Sequence, residues 1–500
     1  MVRHEPDDAF AAELANHTRP RQWTNPQPRD RYDLVVVGGG PAGLVAAVGA
    51  ATVGASVALV EKYRLGGDCL HFGCVPSKAL LASSRGVATM REAVRRGILV
   101  TDVAVDFSEV MARVRRLRAQ LSRADSTQRL VETGIDLFFG FGRFISSDTL
   151  DVDGQKLRFR RAIIATGSRP TDPAIPGLAP GSYLTSESVF HLTELPRRLI
   201  VLGSGPMGCE LAQAFARFGS RVQVVTRSER ILPRDEPEAA TIVQRSLIRD
   251  AIQFYFGAEH MAADNNRLII QQQGRTHTLV ADAILVAVGR TPNVENMGLE
   301  AAGIAYSANG IQVDDFLRTT NRRVFAAGDV CSSFRYTHAA DAMARLAVRN
   351  ALFFGRQRLS RLVIPHCSYT DPELASVGLT AESAESKGIS VTTYRLDLSE
   401  NDRAVLNSDG PGLALVHVQS GTDRMIGATL VSPGAGEGIT EVVLSMQEGI
   451  GLGRLGAIVR PYPTQNEVWR KLADQYQRQR LTPWVRRLIH GLLALRRWFG

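Results

Sequence analysis

Cys69 and Cys74 stand in the run GGDCLHFGCVPSK, separated by four residues, preceded by Gly66 and Gly67 and followed by Pro76 and Lys78. Two thiols this close, framed by Gly and Pro, suit reversible disulfide chemistry, in which the thiolate is the reacting species. The run comes shortly after a glycine-rich fingerprint, so a bound dinucleotide would supply the electrons. Two buried free thiols are the plainer use of the same residues.

The elements that must position this pair read as one pattern written twice. Residues 33–37 are a continuous apolar strand, Gly38, Gly40 and Gly43 form GxGxxG, 44–51 suit a helix packed closely on a sheet, and 56–60 are the next strand, ending at Glu61. The glycines permit a tight turn and close approach of the backbone to a pyrophosphate at the helix N-terminus. Glu61 lies eighteen residues after Gly43, where a carboxylate accepts both hydrogen bonds of a ribose diol. The second copy has its strand at 199–202, its glycines at Gly203, Gly205 and Gly208, and its next strand at 221–225. Eighteen residues after Gly208 stands Thr226, not an acid, with Arg227 and Arg230 following. Arginines without an acid suit a 2′-phosphate. The first site is therefore expected to hold FAD and the second to favour NADPH, with NADH as the alternative, since Gly208 occupies a position where NADPH enzymes often carry Ala.

Length and composition set the frame. Five hundred residues imply several domains, and five cysteines are too few for a secreted disulfide framework. The first twenty residues contain acids and no apolar run, and no stretch offers about eighteen uncharged apolar residues. A cytoplasmic protein is expected. The net charge of +9 is uneven, because residues 478–500 carry six arginines and no acid. Nucleic-acid binding would rest on that tail alone and is not expected.

On VVVGGGPAG, GGDCLHFGCVPSK, AIIATGSRP, VLGSGPMGCELAQAF, VAVGRTPN, VFAAGDV, YTDPELASVGLT and YPTQNE, roughly residues 32–476 resemble the pyridine nucleotide–disulfide oxidoreductases. That family includes dihydrolipoyl dehydrogenase, glutathione reductase and mercuric reductase. The resemblance implies an α/β fold with two Rossmann-like dinucleotide-binding domains, for FAD and NAD(P), and an α+β C-terminal dimerisation domain. It places Asp329 on the flavin's ribityl chain, Ala165, Thr166 and Gly167 along FAD, His338 near the flavin, and Lys78 beside flavin N5, paired with Glu210. Gly289 and Arg290 would serve the second nucleotide. Electrons would run from NADPH through FAD to the Cys69–Cys74 disulfide, with Cys74 facing the flavin and Cys69 meeting the substrate. Cys209, Cys331 and Cys367 read as packing residues.

The chain also departs from the family. Disulfide-reducing members carry His-Pro-x-x-x-Glu, whose His reaches the other subunit's thiols and shuttles protons. Here Tyr462 occupies the His position and Glu467 is retained. An unperturbed Tyr titrates near ~10 against about 6.5 for His, so it is a poor base at neutral pH. Mercuric reductases also carry Tyr there, and ELAQAFARFGSRVQVV resembles that subgroup. The vicinal Cys pair that usually ends those enzymes is missing, since no cysteine follows Cys367, and residues 1–31 contain none. The expected function is mercuric reductase-like: an FAD enzyme passing electrons to a metal ion or another small electrophile. The alternatives are a dihydrolipoyl dehydrogenase type with an unusual proton relay and, from a different class, a membrane-surface redox sensor. His71, between the two cysteines, either replaces the missing base or simply caps the turn.

The expected organisation is a flexible N-terminal arm (1–31) with a short helix near 9–15, a discontinuous FAD-binding domain (32–185 and 315–362), an NAD(P)-binding domain (186–314), a dimerisation domain (363–476) and a basic amphipathic helix (477–500). Tyr462 would complete the partner's active site, so a homodimer is expected. From Pro483, apolar residues recur at helical spacing with arginines gathered opposite. This tail would either lie on the inner face of a membrane or pack on the dimer body.

Overall fold

A computed structural model of the protein describes residues 6–264, 266–353 and 355–499. Strand β1 (Tyr32–Val37) lies at the middle of the first sheet, and all its residues but Asp33 are buried. Parallel strands on both sides remove it from water, which is why it reads as a continuous apolar run. Its neighbours are β2 (Val57–Glu61), which in turn pairs with β3 (Asp136–Phe139), and the long β6 (Gln155–Ile164). The first part of β6 carries an antiparallel extension through β4 (Gly142–Ser146) and β5 (Thr149–Val152). Helix α1 (Ala9–Thr18) precedes the sheet, and α2 (Pro41–Thr52) crosses from β1 to β2. After β2 come the one-turn α3 (Gly67–His71), then α4 (Cys74–Glu92) and α5 (Phe107–Ser122).

Strand β7 (Ser168–Pro170) leads into the second dinucleotide fold. There β8 (Arg198–Leu202), helix α6 (Pro206–Phe218), β9 (Arg221–Val225), β10 (Gln253–Tyr255) and β11 (Ala283–Val286) form a parallel sheet in the order β10-β9-β8-β11. Strand β12 (Arg290–Pro292) pairs antiparallel with β7. The chain then returns to the first sheet: β13 (Val324–Ala326) adds parallel to β6, and α7 (Thr337–Leu352) packs on α2. A third, fully antiparallel sheet has the order β14 (Pro365–Ser368), β15 (Glu373–Gly378), β18 (Met425–Ser432), β17 (Leu413–Gln419), β16 (Val391–Asp397). Its core includes Trp469 and Leu472 of α8 (Glu467–Arg480). The fold is thus two Rossmann-like dinucleotide-binding folds and an α+β C-terminal domain, as the sequence implies.

The molecule divides into two compact units: residues through Glu229 with Asp250–Leu362, and Arg230–Arg249 with Val363 onward. The segment Arg230–Arg249, expected inside the NAD(P)-binding domain, belongs instead to the second unit. Two carboxylate–histidine pairs hold it there, His366 Nε2 to Asp235 at 2.7 Å and His417 Nε2 to Glu236 at 2.9 Å, and Ser246 Oγ donates to the Asp371 carbonyl.

The segment expected as a flexible N-terminal arm is packed rather than loose. Leu14 of α1 is buried with Leu70 and Ala119, and Phe10 and Val75 cover that cluster. Arg115 pairs with Asp8 at 2.6 Å, His17 bonds Ser122 at 2.8 Å, and Arg19 donates to the Lys62 and Tyr63 carbonyls. An amphipathic helix with a buried partner face overrides the disorder signalled by the prolines around it. The basic tail is the helix α9 (Pro483–Phe499), separated from α8 by Leu481 and Thr482, and it contains no buried residue.

Candidate active site

Cys74 is the first residue of α4, so its sulfur sits at a helix N-terminus, where unpaired N–H groups favour an anion. Its Sγ lies 3.3 Å from the hydroxyl of Thr337, the first residue of α7. Cys69, on α3, is half-buried and hydrogen-bonds to Cys74. These contacts split the two thiols. Cys74 is pulled down to about 6, first by the hydrogen bond from Cys69, then by the Thr337 hydroxyl and the Lys78 cation, against burial and Glu210. Cys69 is pushed up, chiefly because its proton is held in that bond, with burial and the charges of Cys74 and Asp68 adding to it. The reduced pair therefore carries one proton at neutral pH, with the thiolate on Cys74.

Lys78 lies one turn along α4 from Cys74, and its Nζ is 2.8 Å from Glu210 Oε2. Glu210 is buried on α6, so this ion pair ties the redox helix to the second dinucleotide fold. The expected pairing of Lys78 with Glu210 is present, and both charges act on Cys74.

Under the redox turn lies a second polar cluster, which the sequence reading did not assemble. Asp329 accepts from Ser168 Oγ at 2.6 Å. Arg290, expected at the second nucleotide, donates to Ser168 Oγ and to the Ser168 carbonyl, both at 2.8 Å, and pairs with Asp68 at 3.0 Å. Burial raises the Asp68 carboxyl, Arg290 opposes that, and Asp329 adds to it. Asp68 immediately precedes Cys69, so this cluster reaches the reactive pair through one peptide unit. Nothing in the local sequence links residues 68, 168, 290 and 329, because only the return of the chain to the first sheet brings them together.

The dinucleotide cradles pass a steric test. Gly38 has φ +111°, and a Cβ there would lie 2.3 Å from the Ala165 carbonyl oxygen. At Gly43 a Cβ would meet the Gly38 oxygen at 1.7 Å. Only glycine allows turn and helix to close this far, and Gly40 caps α2 with no side chain over its N–H groups. Gly203 and Gly208 repeat the geometry, with a Cβ at 2.4 Å from the Ala287 oxygen and 2.2 Å from the Gly203 oxygen, and Gly205 caps α6. These residues fit pyrophosphates. Ala165, Thr166 and Gly167 follow β6, where the Thr166 hydroxyl donates to the Asn293 carbonyl at 2.8 Å. Glu61 is buried, with its oxygens 2.6 Å from the N–H groups of Gly39 and Tyr63. Burial raises its pKa against those donors.

At the second site, the Thr226 hydroxyl is buried, accepting from Ser204 Oγ at 3.0 Å and from the Ser228 N–H at 3.2 Å. Arg227 is exposed, whereas Arg230 donates to the carbonyls of Pro233 and Asp235. Gly289 has φ +135°. His338 stacks on Tyr336 with ring centroids 5.5 Å apart. His71 is buried with Nε2 2.8 Å from the Leu65 carbonyl, so its ring anchors the turn. Burial pushes the Cys331 thiol up to about 12, Cys209 is buried against the Ser204 carbonyl, and Cys367 is half-buried.

Tyr462 and Glu467 belong to the second unit. The Tyr462 hydroxyl donates to Asp402 Oδ2 at 2.7 Å, and that bond, with the carboxylate's charge, raises the phenol above its ordinary value. Glu467 is held by Arg470. Asp402, which the sequence reading missed, therefore keeps Tyr462 still more firmly protonated at neutral pH and unavailable as a base.

Residues 32–344 match the family model of the pyridine nucleotide-disulphide oxidoreductases, and residues 364–473 match that family's dimerisation domain. The chain belongs to this family. Family members use FAD and NAD(P)H. Among relatives, a mercuric reductase of Streptomyces lividans is 35% identical over 90% of this chain and 97% of its own length. A dihydrolipoyl dehydrogenase of Bacillus subtilis is 32% identical over 87% and 96%. Among solved structures, the HOCl-induced flavoprotein disulfide reductase RclA of Escherichia coli, also solved as a Cu(II) complex, superposes with a TM-score of 0.78 at 27% identity, covering 89% of this chain and 99% of that one. Among the described residues no helix is long and apolar enough to cross a membrane.

Proposed function

We propose that this oxidoreductase takes electrons from NADPH and delivers them through Cys69 and Cys74 to a metal ion or another small electrophile whose reduction needs no proton. The reading rests on Tyr462, which stands where disulfide reductases place a proton-shuttling His and whose hydroxyl is committed to Asp402. Reducing a disulfide to two thiols takes up two electrons and two protons. A divalent ion displaces the Cys69 proton to solvent, is bound by both sulfurs and takes two electrons as the Cys69–Cys74 bond re-forms, so one proton is released and none has to be delivered. Soft thiolates are suited to such ions. Relatives named mercuric reductase and the Cu(II) complex of RclA support a metal-ion acceptor.

FAD, when bound, supplies the two-electron relay between nicotinamide and disulfide. The chain's own residues do the rest. Gly38, Gly40 and Gly43 admit a pyrophosphate, Glu61 faces the ribose, and Ala165–Gly167 with Asp329 follow the ribityl chain. Gly203, Gly205 and Gly208 admit the second pyrophosphate. Arg227, not Arg230, meets the 2′-phosphate, because Arg230 is occupied by carbonyls of its own turn. Lys78 holds positive charge beside the thiolate, Thr337 donates to Cys74, and Cys69 keeps the proton until substrate arrives. The working unit is a homodimer in which Tyr462 faces the partner's dithiol.

Anaerobic NADPH oxidation with mercuric or cupric ion and with lipoamide tests the reading. Metal-dependent turnover is expected, lipoamide turnover at neutral pH is not, and Tyr462→His is expected to gain the latter. Brisk lipoamide turnover by the unaltered enzyme, retained in Tyr462→Phe, would overturn it.

A further inference from the structure

Helix α9 has a polar face and an apolar face, and neither contains a buried residue. Of its 17 residues, every one except Val485 is exposed. Thr482 starts it, accepting from the Val485 N–H on its hydroxyl and from the Arg486 N–H on its carbonyl. At 100° per residue, Trp484, Leu488, Leu492, Leu495 and Phe499 fall within an arc of about 80°. Arg486, Arg487, His490 and Arg497 fall on the opposite side. Trp484 is 67% exposed, Leu492 67% and Phe499 76%. The helix contains no acid, and Arg496 and Arg497 close its last turn.

We propose that α9 binds the surface of an anionic phospholipid membrane, lying along it with the Trp484–Phe499 face in the acyl boundary and the arginines among the headgroups. Charge and shape together select this occupant. A second copy of α9 would cover the apolar face but bring four more arginines and no carboxylate. A nucleic acid would neutralise the arginines and leave the apolar face in water. An anionic lipid surface satisfies both faces at once. The helix spans only ~26 Å, short of the ~30 Å hydrocarbon core, so it lies on the bilayer and does not cross it. The inference is independent of which acceptor the active site reduces.

The test is co-sedimentation of the full-length enzyme with phosphatidylcholine vesicles, with and without phosphatidylglycerol, while tryptophan emission is followed. Trp484 and Trp498 are exposed, Trp469 is buried and Trp23 is half-buried against Phe139, so a blue shift that is lost in Trp484→Phe/Trp498→Phe reports the tail. Binding is expected only with phosphatidylglycerol, with a blue shift, and it should weaken as salt is added. Replacing Arg486, Arg487 and Arg497 by Gln together should weaken it about a hundredfold, at roughly fivefold per arginine. Leu488→Glu with Leu492→Glu should abolish it while NADPH oxidation is unchanged, which shows that the variant is folded. Three results would overturn the proposal: no binding to either vesicle, equal binding to both, or binding of duplex DNA without vesicle binding. A fall in assembly mass in the Leu488→Glu/Leu492→Glu variant, with no vesicle binding by the unaltered chain, would assign the face to a second copy instead.

Discussion

At the residue scale, the two thiols differ because one donates to the other. Cys74 keeps the negative charge at a helix N-terminus and Cys69 keeps the proton. This sets the sign of a pH effect on the reduced protein. Between about pH 6 and pH 8.5 the native pair holds one proton and the unfolded thiols hold two, so raising the pH stabilises the fold. Above about 8.5 the unfolded thiols release both while the native pair keeps one, so a further rise destabilises it. The dithiol's contribution should peak near pH ~8.5 and be lost as pH falls through about 6, as read by urea unfolding under reducing conditions against a Cys69→Ser/Cys74→Ser variant. A flat difference between the two proteins across that range would show the thiols to be equivalent. Lys78 acts on the same pair. Lys78→Met leaves Glu210 buried without its cation, costing about 2 kcal/mol, below the value for a fully buried pair because Lys78 is a third exposed. It should also slow alkylation of Cys74 near neutral pH by raising that thiol, and adding Glu210→Leu should restore the stability.

At the scale of elements, the local pattern was legible wherever one segment carried its own signal. Both GxGxxG turns and the strand 221–225 stand as read, because period, glycine spacing and β-branched content all agree there. Helix α1 was legible only as a short helix within a loose arm. What it packs on lies from about fifty to about a hundred residues further along, at Leu70 and on α5, and neither partner announces the other. Its Leu14 sits against Leu70 between the two cysteines, so the N-terminal helix buttresses the redox turn. Leu14→Ala should cost about 3 kcal/mol and speed hydrogen exchange in α3, whereas exchange in β17 should not change. Uniform acceleration across both units would show that α1 contributes only to global stability. The Asp68–Arg290–Asp329 cluster escaped the sequence for the same reason, since β12 brings Arg290 beside β7 and Asp68.

At the scale of the whole molecule, the parts of electron delivery are conserved in form and the acceptor side is altered. Two dinucleotide folds, a redox turn and a dimerisation domain are those of the family, and each was legible because each carries a motif. The acceptor side was legible only as the substitution at Tyr462. Asp402, 60 residues away, fixes what that substitution means, since it holds the phenol's proton and raises its pKa. Of the six arginines behind the charge asymmetry seen in the sequence, four belong to one exposed helix, α9. The central claim is that electrons leave through Cys69 and Cys74 with no proton relay from Tyr462. The pH profile of kcat/KM for mercuric-ion reduction, measured for the unaltered enzyme and for Tyr462→Phe, tests it most directly. The account predicts superimposable profiles with one acid limb near pH 6, set by Cys74. A tenfold or greater loss in Tyr462→Phe, or an alkaline limb that this substitution removes, would contradict it.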